Sequence, residues 1–548
     1  MRQYHSRPAT WLIALLVVTP LGGCRWASQN GTASAANADQ PSPPIEEQNA
    51  PPATPAQEQP EVLSRGPVHE AFAEPVNMQL EAGLVAPNQP PPNIEELPPA
   101  ERPQGQQFVW IPGYWSWDAD RNGYIWVSAC WRVAPPRMSW VPGYWSRVSE
   151  GWEWVAGFWA PAGVQEIVYL PAPPTVGDVE PQGPAPSLDT IWVPPCMYWS
   201  QGQYVRRAGY WLVAQPNWVW VPSHYVVTPR GYIFAEGHWD YSLERRGVLF
   251  APVYFPASVY GRVSFTYSPS IVIDVGLLRV NLFAYPRYSH YYFGDYYDDA
   301  YVSIGIYPWF DSERLHTWYD PVYVHDRWQN RRSEPRWEER GREEYNRRRA
   351  DRDLRPARTY REQESRLAKL PEPQRRAFQV AQPITVAATS RAAPLKFEQI
   401  NPAARQKISK QATAVRTFRD ERNRWESTAA APKTVKPPKE RGGTVTPPVE
   451  RTETVKPPRE RGDTVTPPAE PREPASVPPR EARVRQPERV RIPAPPIVGN
   501  SDVPEISQKG PPARPDYEDK DKEGKEIRTD NRAADRDTRK DGKERRGD

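Results

Sequence analysis

Aromatic residues recur at a short, regular spacing in the middle of the chain. The first copies of a Trp-x-x-Gly-x-Trp pattern, or a close variant of it, are Trp110–Trp115, Trp126–Trp131, Trp140–Trp145 and Trp154–Trp159. More divergent copies continue to Trp239. Turn-forming residues such as Asn122-Gly123 lie between the copies, which is a hairpin signal. The pattern therefore predicts four tandem β-hairpins, and a longer connection over about 160–189 divides them into two pairs.

Tryptophan suits such short hairpins because a two-stranded hairpin alone is only marginally stable. Facing aromatic side chains add about 0.2–1 kcal/mol per cross-strand pair. The central glycine of the pattern indicates a bulge or the close approach of a neighbouring ring.

Further strands are predicted after the repeats. The runs Gly247–Phe255 and Ser270–Phe283 are aliphatic and aromatic, and a tyrosine-rich stretch follows at 290–299. The expected fold class is mainly β, with tandem tryptophan-rich hairpins and additional strands.

Composition changes this picture at both ends. Only 38% of the residues are hydrophobic and 68 are proline, so a core cannot extend along the whole chain. Sixteen of the 23 tryptophans lie between Trp110 and Trp239. We therefore expect long, disordered, proline-rich and charged flanks. Within them, Asn401-Pro402 can cap a helix, and the spacing of Ile408 and Val415 gives it a modest apolar stripe.

These patterns predict six segments. They are a signal peptide (1–23), a lipid-anchored proline-rich tether (24–103), a hairpin repeat domain (104–240), a tyrosine-rich β segment (241–325), a charged and partly helical segment (326–430) and a disordered tail (431–548).

The N-terminus carries an export signal. Arg2 and Arg7 precede an apolar stretch too short to span a bilayer. The sequence Leu21-Gly-Gly-Cys24 that follows resembles a bacterial lipobox, which implies acylation of Cys24 and cleavage before it. The absence of aspartate after Cys24 implies outer-membrane sorting. We expect an exported protein of the cell envelope, bound to the membrane by its acyl anchor.

The repeats themselves resemble the bacterial WXXGXW (YXWGXW) repeat family. The resemblance covers about Phe108 to Trp239, and the later copies depart from it, with Pro195 and Ser223 in place of glycine. The family implies no established activity.

Motifs of catalysis are not found in the sequence. It has no glycine-rich phosphate loop, no His-Glu-x-x-His, no Cys-x-x-Cys and no Gly-x-Ser-x-Gly. His224 and His238 sit at analogous places in the fourth hairpin, but surface or structural roles fit them better than metal binding. We expect no enzymatic activity, no cofactor, no metal site and no nucleic-acid partner.

Cys130 and Cys196 each occupy the fifth position of their motif copies. An exported protein can oxidise such a pair, so a disulfide between them is one alternative and two free thiols are the other.

Two functions remain open at this stage. The first is a structural or interaction role in the envelope, and the alternative is a glycan- or peptidoglycan-binding module that stacks sugars on exposed indoles. Envelope glycans and other envelope proteins are the candidate partners. Burial of most of the tryptophans would favour the structural role, and a row of exposed rings would favour glycan binding. The candidate stacking or core residues are Trp110, Trp115, Trp126, Trp131, Trp140, Trp145, Trp154 and Trp159.

Overall fold

The structure is a computed structural model that describes residues 59–427 and 486–497, apart from 106, 178, 182 and 391–393. Strand exceeds helix, 33% against 27%, and antiparallel hairpins are numerous, which confirms the mainly β fold. The predicted signal peptide, the anchor Cys24 and most of the predicted tail lie outside the described residues.

The first strands precede the repeats and are β1 (Glu61–Val62), β2 (Gly66–Pro67), β3 (Val76–Asn77), β4 (Val85–Ala86), β5 (Glu95–Glu96) and β6 (Glu101–Pro103). Repeat unit 1 contains β7 (Phe108–Ile111), β8 (Tyr114–Asp118), β9 (Gly123–Val127) and β10 (Cys130–Val133). Unit 2 contains β11 (Met138–Val141), β12 (Tyr144–Val148), β13 (Gly151–Val155) and β14 (Phe158–Pro161), and β15 (Glu166–Leu170) follows it. Unit 3 contains β16 (Thr190–Val193), β17 (Cys196–Ser200), β18 (Gln203–Arg207) and β19 (Tyr210–Val213). Unit 4 contains β20 (Trp218–Val221), β21 (His224–Val227), β22 (Tyr232–Ala235) and β23 (His238–Tyr241).

Later strands are β24 (Gly247–Leu249), β25 (Val253–Tyr254), β26 (Thr266–Tyr267), β27 (Ile271–Ile273), β28 (Leu282–Tyr285), β29 (His290–Phe293), β30 (Tyr307–Pro308), β31 (Trp318–Tyr319), β32 (Ala381–Pro383), β33 (Phe397–Gln399) and β34 (Glu488–Arg491). The helices are α1 (Leu243–Arg246), α2 (Ala257–Tyr260), α3 (Val275–Val280), α4 (Asp299–Ser303), α5 (Ser312–Leu315), α6 (Pro321–Asn330), α7 (Trp337–Ala350), α8 (Tyr360–Leu367), α9 (Glu372–Phe378), α10 (Ile384–Thr389) and α11 (Pro402–Ser427), with short 3-10 turns at Pro286–Tyr288, Trp309–Asp311 and Arg352–Leu354. Within the described residues, no helix is long and apolar enough to cross a bilayer.

Each repeat unit is one long hairpin with a bend in the middle. In unit 1, β8 and β9 form the closed end, where Trp115 lies opposite Trp126. Strands β7 and β10 form the open end, where Trp110 lies opposite Trp131. Units 2 and 4 repeat this pairing, with Trp140–Trp159 and Trp145–Trp154 in unit 2 and Trp220–Trp239 and Tyr225–Phe234 in unit 4. Unit 3 repeats the open-end pair as Trp192–Trp211, but Met197 lies opposite Arg206 at its closed end. The four predicted hairpins are confirmed.

The predicted tether is wrong for residues 59–103. Its short strands pair with the repeats and with later strands: β4 with β13, β1 with β25, β2 with β29 and β6 with β33. Val68 and Phe72 are fully buried in the main hydrophobic cluster. Proline content suggested a solvated chain, but the scattered apolar residues of this segment fill spaces between the repeat units.

The charged segment is helical as predicted, but it does not stand apart from the repeats. Helix α11 begins at Pro402, and the Asn401 side chain accepts a hydrogen bond from the Ala404 N–H, so the predicted cap is confirmed. Val415 of this helix is fully buried in the main cluster. The tail is likewise not wholly free, because β34 adds to the edge of β15 in antiparallel register.

The tyrosine-rich segment forms strands, as predicted, and the aromatic side chains of its 290–299 stretch lie inside the protein. Tyr291, Tyr292, Tyr296 and Tyr297 are all buried. The Tyr291 hydroxyl donates to Asp320, and the Tyr297 hydroxyl donates to Asn281 Oδ1 at 2.9 Å.

Candidate functional site

The eight tryptophans singled out in units 1 and 2 are all buried. Their exposed fractions run from 0% for Trp126 to 7% for Trp145. Facing rings meet tilted or edge-on at centroid distances of 5.0–5.4 Å, a favourable aromatic geometry. A buried ring offers no face to a sugar, so these residues are core aromatics.

Residues 69–72, here called the hub segment, run between the repeat units. The His69 Nε2–H donates to the Pro112 carbonyl of unit 1 at 3.1 Å, and its Nδ1 accepts from the Ala71 N–H. Burial lowers the pKa of His69 to about 3, so the ring is neutral. The Ala71 carbonyl accepts from Arg132 Nε at 2.8 Å. The hub segment is therefore hydrogen-bonded directly to unit 1.

Glu70 of the hub segment binds the two bends of unit 2. Its Oε1 accepts from the Gly143 N–H at 2.9 Å and its Oε2 from the Gly157 N–H at 3.0 Å. Burial raises the pKa of Glu70, while these two bonds and the nearby Arg419 and Arg422 oppose the shift. One carboxylate thus satisfies two buried backbone donors.

Helix α11 completes the same arrangement from the other side. Arg422 Nη1 donates to the Pro142 and Ala156 carbonyls, each at 2.9 Å, and Arg422 Nε donates to Glu426 at 3.0 Å. The two bend peptides of unit 2 therefore donate to Glu70 and accept from Arg422. We call this arrangement the bend clamp of unit 2.

Unit 1 has a clamp of the same kind. Glu96 of β5 accepts from the Gly113 N–H at 2.9 Å and from the Ala129 N–H at 3.1 Å. Arg419 of α11 donates to the Gly113 carbonyl at 3.3 Å. Burial raises the pKa of Glu96 to about 7.

The pKa of Glu96 predicts a pH dependence. Folding raises this pKa from 4.5, so the folded state binds the proton more tightly. The resulting stabilisation is complete below pH 4.5 and is lost as pH rises through 7. Between pH 4.5 and 8, the stability advantage of the wild type over Glu96→Gln should fall by about 3 kcal/mol, as measured by urea unfolding at each pH. A pH-independent difference would contradict the raised pKa.

The bend glycines are also required sterically, as the sequence predicted. A Cβ on Gly143 would lie 2.6 Å from Trp154 Cζ2, and one on Gly157 would lie 2.5 Å from Trp140 Cζ2. Each bend glycine of unit 2 is thus covered by a tryptophan of the same unit.

Unit 3 differs from units 1 and 2 because the facing aromatic side chains of its hairpin are only partly buried. Trp192 and Trp211 at its open end are partly exposed, as are Tyr198 and Trp199. Val213 on β19 is 57% exposed. Unit 3 therefore presents an aromatic surface that units 1 and 2 keep inside.

A cleft of about 760 Å³ lies between unit 3 and helices α6 and α7. We call it the aromatic cleft. Its size falls in the usual range of ligand sites, about 300–1,000 Å³. It is lined by the rings Trp192, Trp211, Trp318, Tyr319, Trp328 and Trp337, and by the charged residues Glu180, His316, Asp320, Arg327, Arg331, Glu334 and Glu338.

Several charges of the cleft are already paired. Arg327 lies 2.8 Å from Glu338, and His316 lies 3.1 Å from Glu180. The Nε and one terminal nitrogen of Arg331 have no hydrogen-bond partner among the described residues. These two nitrogens are buried, although Arg331 as a residue lines the cleft.

The structure contains Cys130 and Cys196 as free thiols. Cys130 stands in β10, paired between β7 and β24, whereas Cys196 begins β17 in a separate two-stranded sheet. Of the two alternatives left open by the sequence, the structure has the free thiols.

Thiol labelling checks this assignment. Burial raises the pKa of both cysteines, and Cys130 is fully enclosed. We expect Cys130 to resist a thiol reagent in the native protein, Cys196 to react slowly, and both to react after unfolding without reductant. Recovery of a disulfide-linked peptide pair by mass spectrometry would contradict this.

The two histidines of unit 4 bond to nearby backbone. His224 Nδ1 lies 3.1 Å from the Pro222 carbonyl, and His238 Nδ1 lies 3.3 Å from the Glu236 carbonyl. In the part of the chain that the structure describes, no group of three or more His, Cys, Asp or Glu residues is arranged to hold a metal ion.

Sequence reasoning missed the clamp residues and the cleft. Glu70 sits in the sequence Val68-His-Glu-Ala-Phe72, and this short apolar cluster was the available signal for a buried segment. Nothing in the sequence marked Trp192 and Trp211 as more exposed than their equivalents.

Comparison with protein-family models, curated proteins and solved structures gave no match. The resemblance to the WXXGXW repeat family and the lipobox therefore stay predictions.

Proposed function

We propose that the chain is a non-enzymatic protein of the bacterial cell envelope with a structural or interaction role. It is exported and held at a membrane, most consistently the outer membrane, by acylated Cys24. The observation that carries the proposal is that the eight repeat tryptophans of units 1 and 2 are buried. They build a core that Glu70, Glu96 and Arg422 fix in place, rather than a reactive site.

The aromatic cleft is the surface through which we propose that the protein interacts. Large exposed apolar surface on a soluble protein usually marks a binding site. In this fold, the partly exposed rings of Trp192 and Trp211 on unit 3 line the cleft beside helices that carry charged side chains. A rigid core with one aromatic binding surface is the arrangement expected of an interaction protein.

Replacement of the anchor cysteine tests the envelope assignment. Cys24→Ser should move the protein from the membrane fraction to the soluble exported fraction and abolish incorporation of a fatty-acid probe, because the acylated thiol is gone. Cys196→Ser is the matched control and should change neither result. Membrane association and labelling that persist in Cys24→Ser would overturn the proposal of a lipid anchor.

A further inference from the structure

The open ends of the repeat units are alike in sequence but not in environment. Trp110 and Trp131 of unit 1 are 4% and 1% exposed, and Trp220 and Trp239 of unit 4 are 3% and 4% exposed. The equivalent pair of unit 3 is only partly buried and lines the aromatic cleft. The tryptophan pair that is buried in the core in units 1 and 4 thus lines the aromatic cleft in unit 3.

Resting on the interaction role proposed above, we propose that the aromatic cleft binds a short, uncharged oligosaccharide, with Trp192 and Trp211 among the rings on which it stacks. The glycan-binding alternative therefore applies to unit 3 and not to the eight buried tryptophans of units 1 and 2.

A sugar has apolar C–H faces and polar hydroxyl edges, so its site needs flat rings beside hydrogen-bonding groups. The cleft supplies both within one space. Tryptophan rings lie on the unit 3 side and on α6 and α7. Glu334 lies just before α7, and Glu338 lies in its first turn. An apolar ligand would desolvate these ion-paired carboxylates without offering them new hydrogen bonds, which costs free energy.

The cleft favours an uncharged ligand. Its carboxyl groups, from Glu180, Asp320, Glu334 and Glu338, outnumber the guanidinium groups of Arg327 and Arg331. An anionic chain would therefore meet repulsion. A hydroxyl or acetamido oxygen carries no net charge and can accept hydrogen bonds from the guanidinium groups that line the cleft without that cost.

The stacking rings are held before a ligand arrives. The Trp192 indole N–H donates to the Val179 carbonyl at 2.8 Å, and its ring meets Trp211 edge-on at 5.3 Å. A ring that is already fixed loses little conformational entropy on binding, which favours affinity.

Calorimetric titration of the full-length protein tests the proposal. The probes are chitotriose and cellotriose, which are uncharged, a uronic-acid trisaccharide, which is anionic, and a peptide with the Thr434–Gly443 sequence, whose proline pair also suits an aromatic groove. We expect chitotriose or cellotriose to bind and the other two probes to bind at least tenfold more weakly.

Three variants locate the binding site. Trp211→Ala should weaken binding at least tenfold, and Trp211→Phe should retain part of it because a flat ring remains. Trp199→Ala is the control: it removes a half-buried tryptophan of unit 3 that does not line the cleft, and it should leave affinity within about twofold. Near-ultraviolet circular dichroism shows whether each variant has kept its fold.

The outcomes separate this inference from the proposed function. If neither uncharged sugar binds, or if the uronate or the peptide binds best, the inference is wrong. The membrane anchoring is tested independently by Cys24→Ser. Binding that survives Trp211→Ala in a folded protein also overturns the inference.

Discussion

Replacing Glu70 by alanine is expected to lower the free energy of unfolding by about 3–5 kcal/mol, the usual cost of removing one partner from a buried charged network. The variant leaves the N–H groups of Gly143 and Gly157 without an acceptor inside the protein. It also removes the carboxylate that acts electrostatically on Arg419 and Arg422, although Arg422 keeps its hydrogen bond to Glu426. Urea unfolding followed by circular dichroism measures the change.

Glu166→Ala is the matched control for this prediction. Glu166 forms an exposed ion pair with Arg489 at 3.0 Å, and such pairs contribute about 0–1 kcal/mol. If Glu70→Ala cost no more than Glu166→Ala, the clamp would not be the stabilising element that we infer.

Gly157→Ala should be nearly as harmful, with a loss of about 3 kcal/mol, because overpacking a rigid core costs this much. The added Cβ would lie 2.5 Å from the Trp140 ring and 2.8 Å from Glu70 Oε1. Neither group can move freely, since Trp140 is buried against Trp159 and Glu70 holds two backbone donors. Thermal unfolding of the purified variant provides the measurement.

Gly123→Ala controls for the general effect of replacing a glycine in these hairpins. A Cβ at Gly123 would meet only the Arg121 carbonyl, at an ordinary 3.6 Å. We expect its midpoint of unfolding to stay close to that of the wild type. An equal loss in both variants would mean that the ring contact at Gly157 is not the cause.

The repeat hairpins were predictable because the residues that determine their turns and strand pairing lie close together in the sequence. Asn122 adopts a left-handed φ of +46° at the turn before β9, as an Asn-Gly turn favours. The spacing of the tryptophans also predicts that the rings of successive copies face each other across the strands. Glycine within the motif was correctly assigned to the close approach of a ring.

The flanks were not predictable in the same way because their roles depend on distant partners. Glu70 lies more than 70 positions from the two glycines that it binds, and Arg422 lies about 280 positions from Pro142. By composition alone, charged residues within a charged stretch predict a solvent-exposed segment. Only the fold shows that Arg422 and Glu426 are fully buried.

The exposure of the aromatic rings of unit 3 likewise depends on how distant parts of the chain pack against one another. Its motif copies differ from those of units 1 and 2 by Pro195, which removes one bend N–H and so the need for a second acceptor, and by Met197 and Arg206 in place of the closed-end tryptophan pair. Those differences agree with a unit that lies outside the clamped core, but they do not locate a cleft.

The central claim is that the hub segment and α11 belong to the folded core of the repeats. Hydrogen–deuterium exchange of the full-length protein, read by mass spectrometry, tests it most directly. We predict that peptides covering 66–76 and 409–426 exchange as slowly as those of β9 and β13. Exchange of these two segments at the rate of an unstructured chain, while the repeat strands stay protected, would contradict the account.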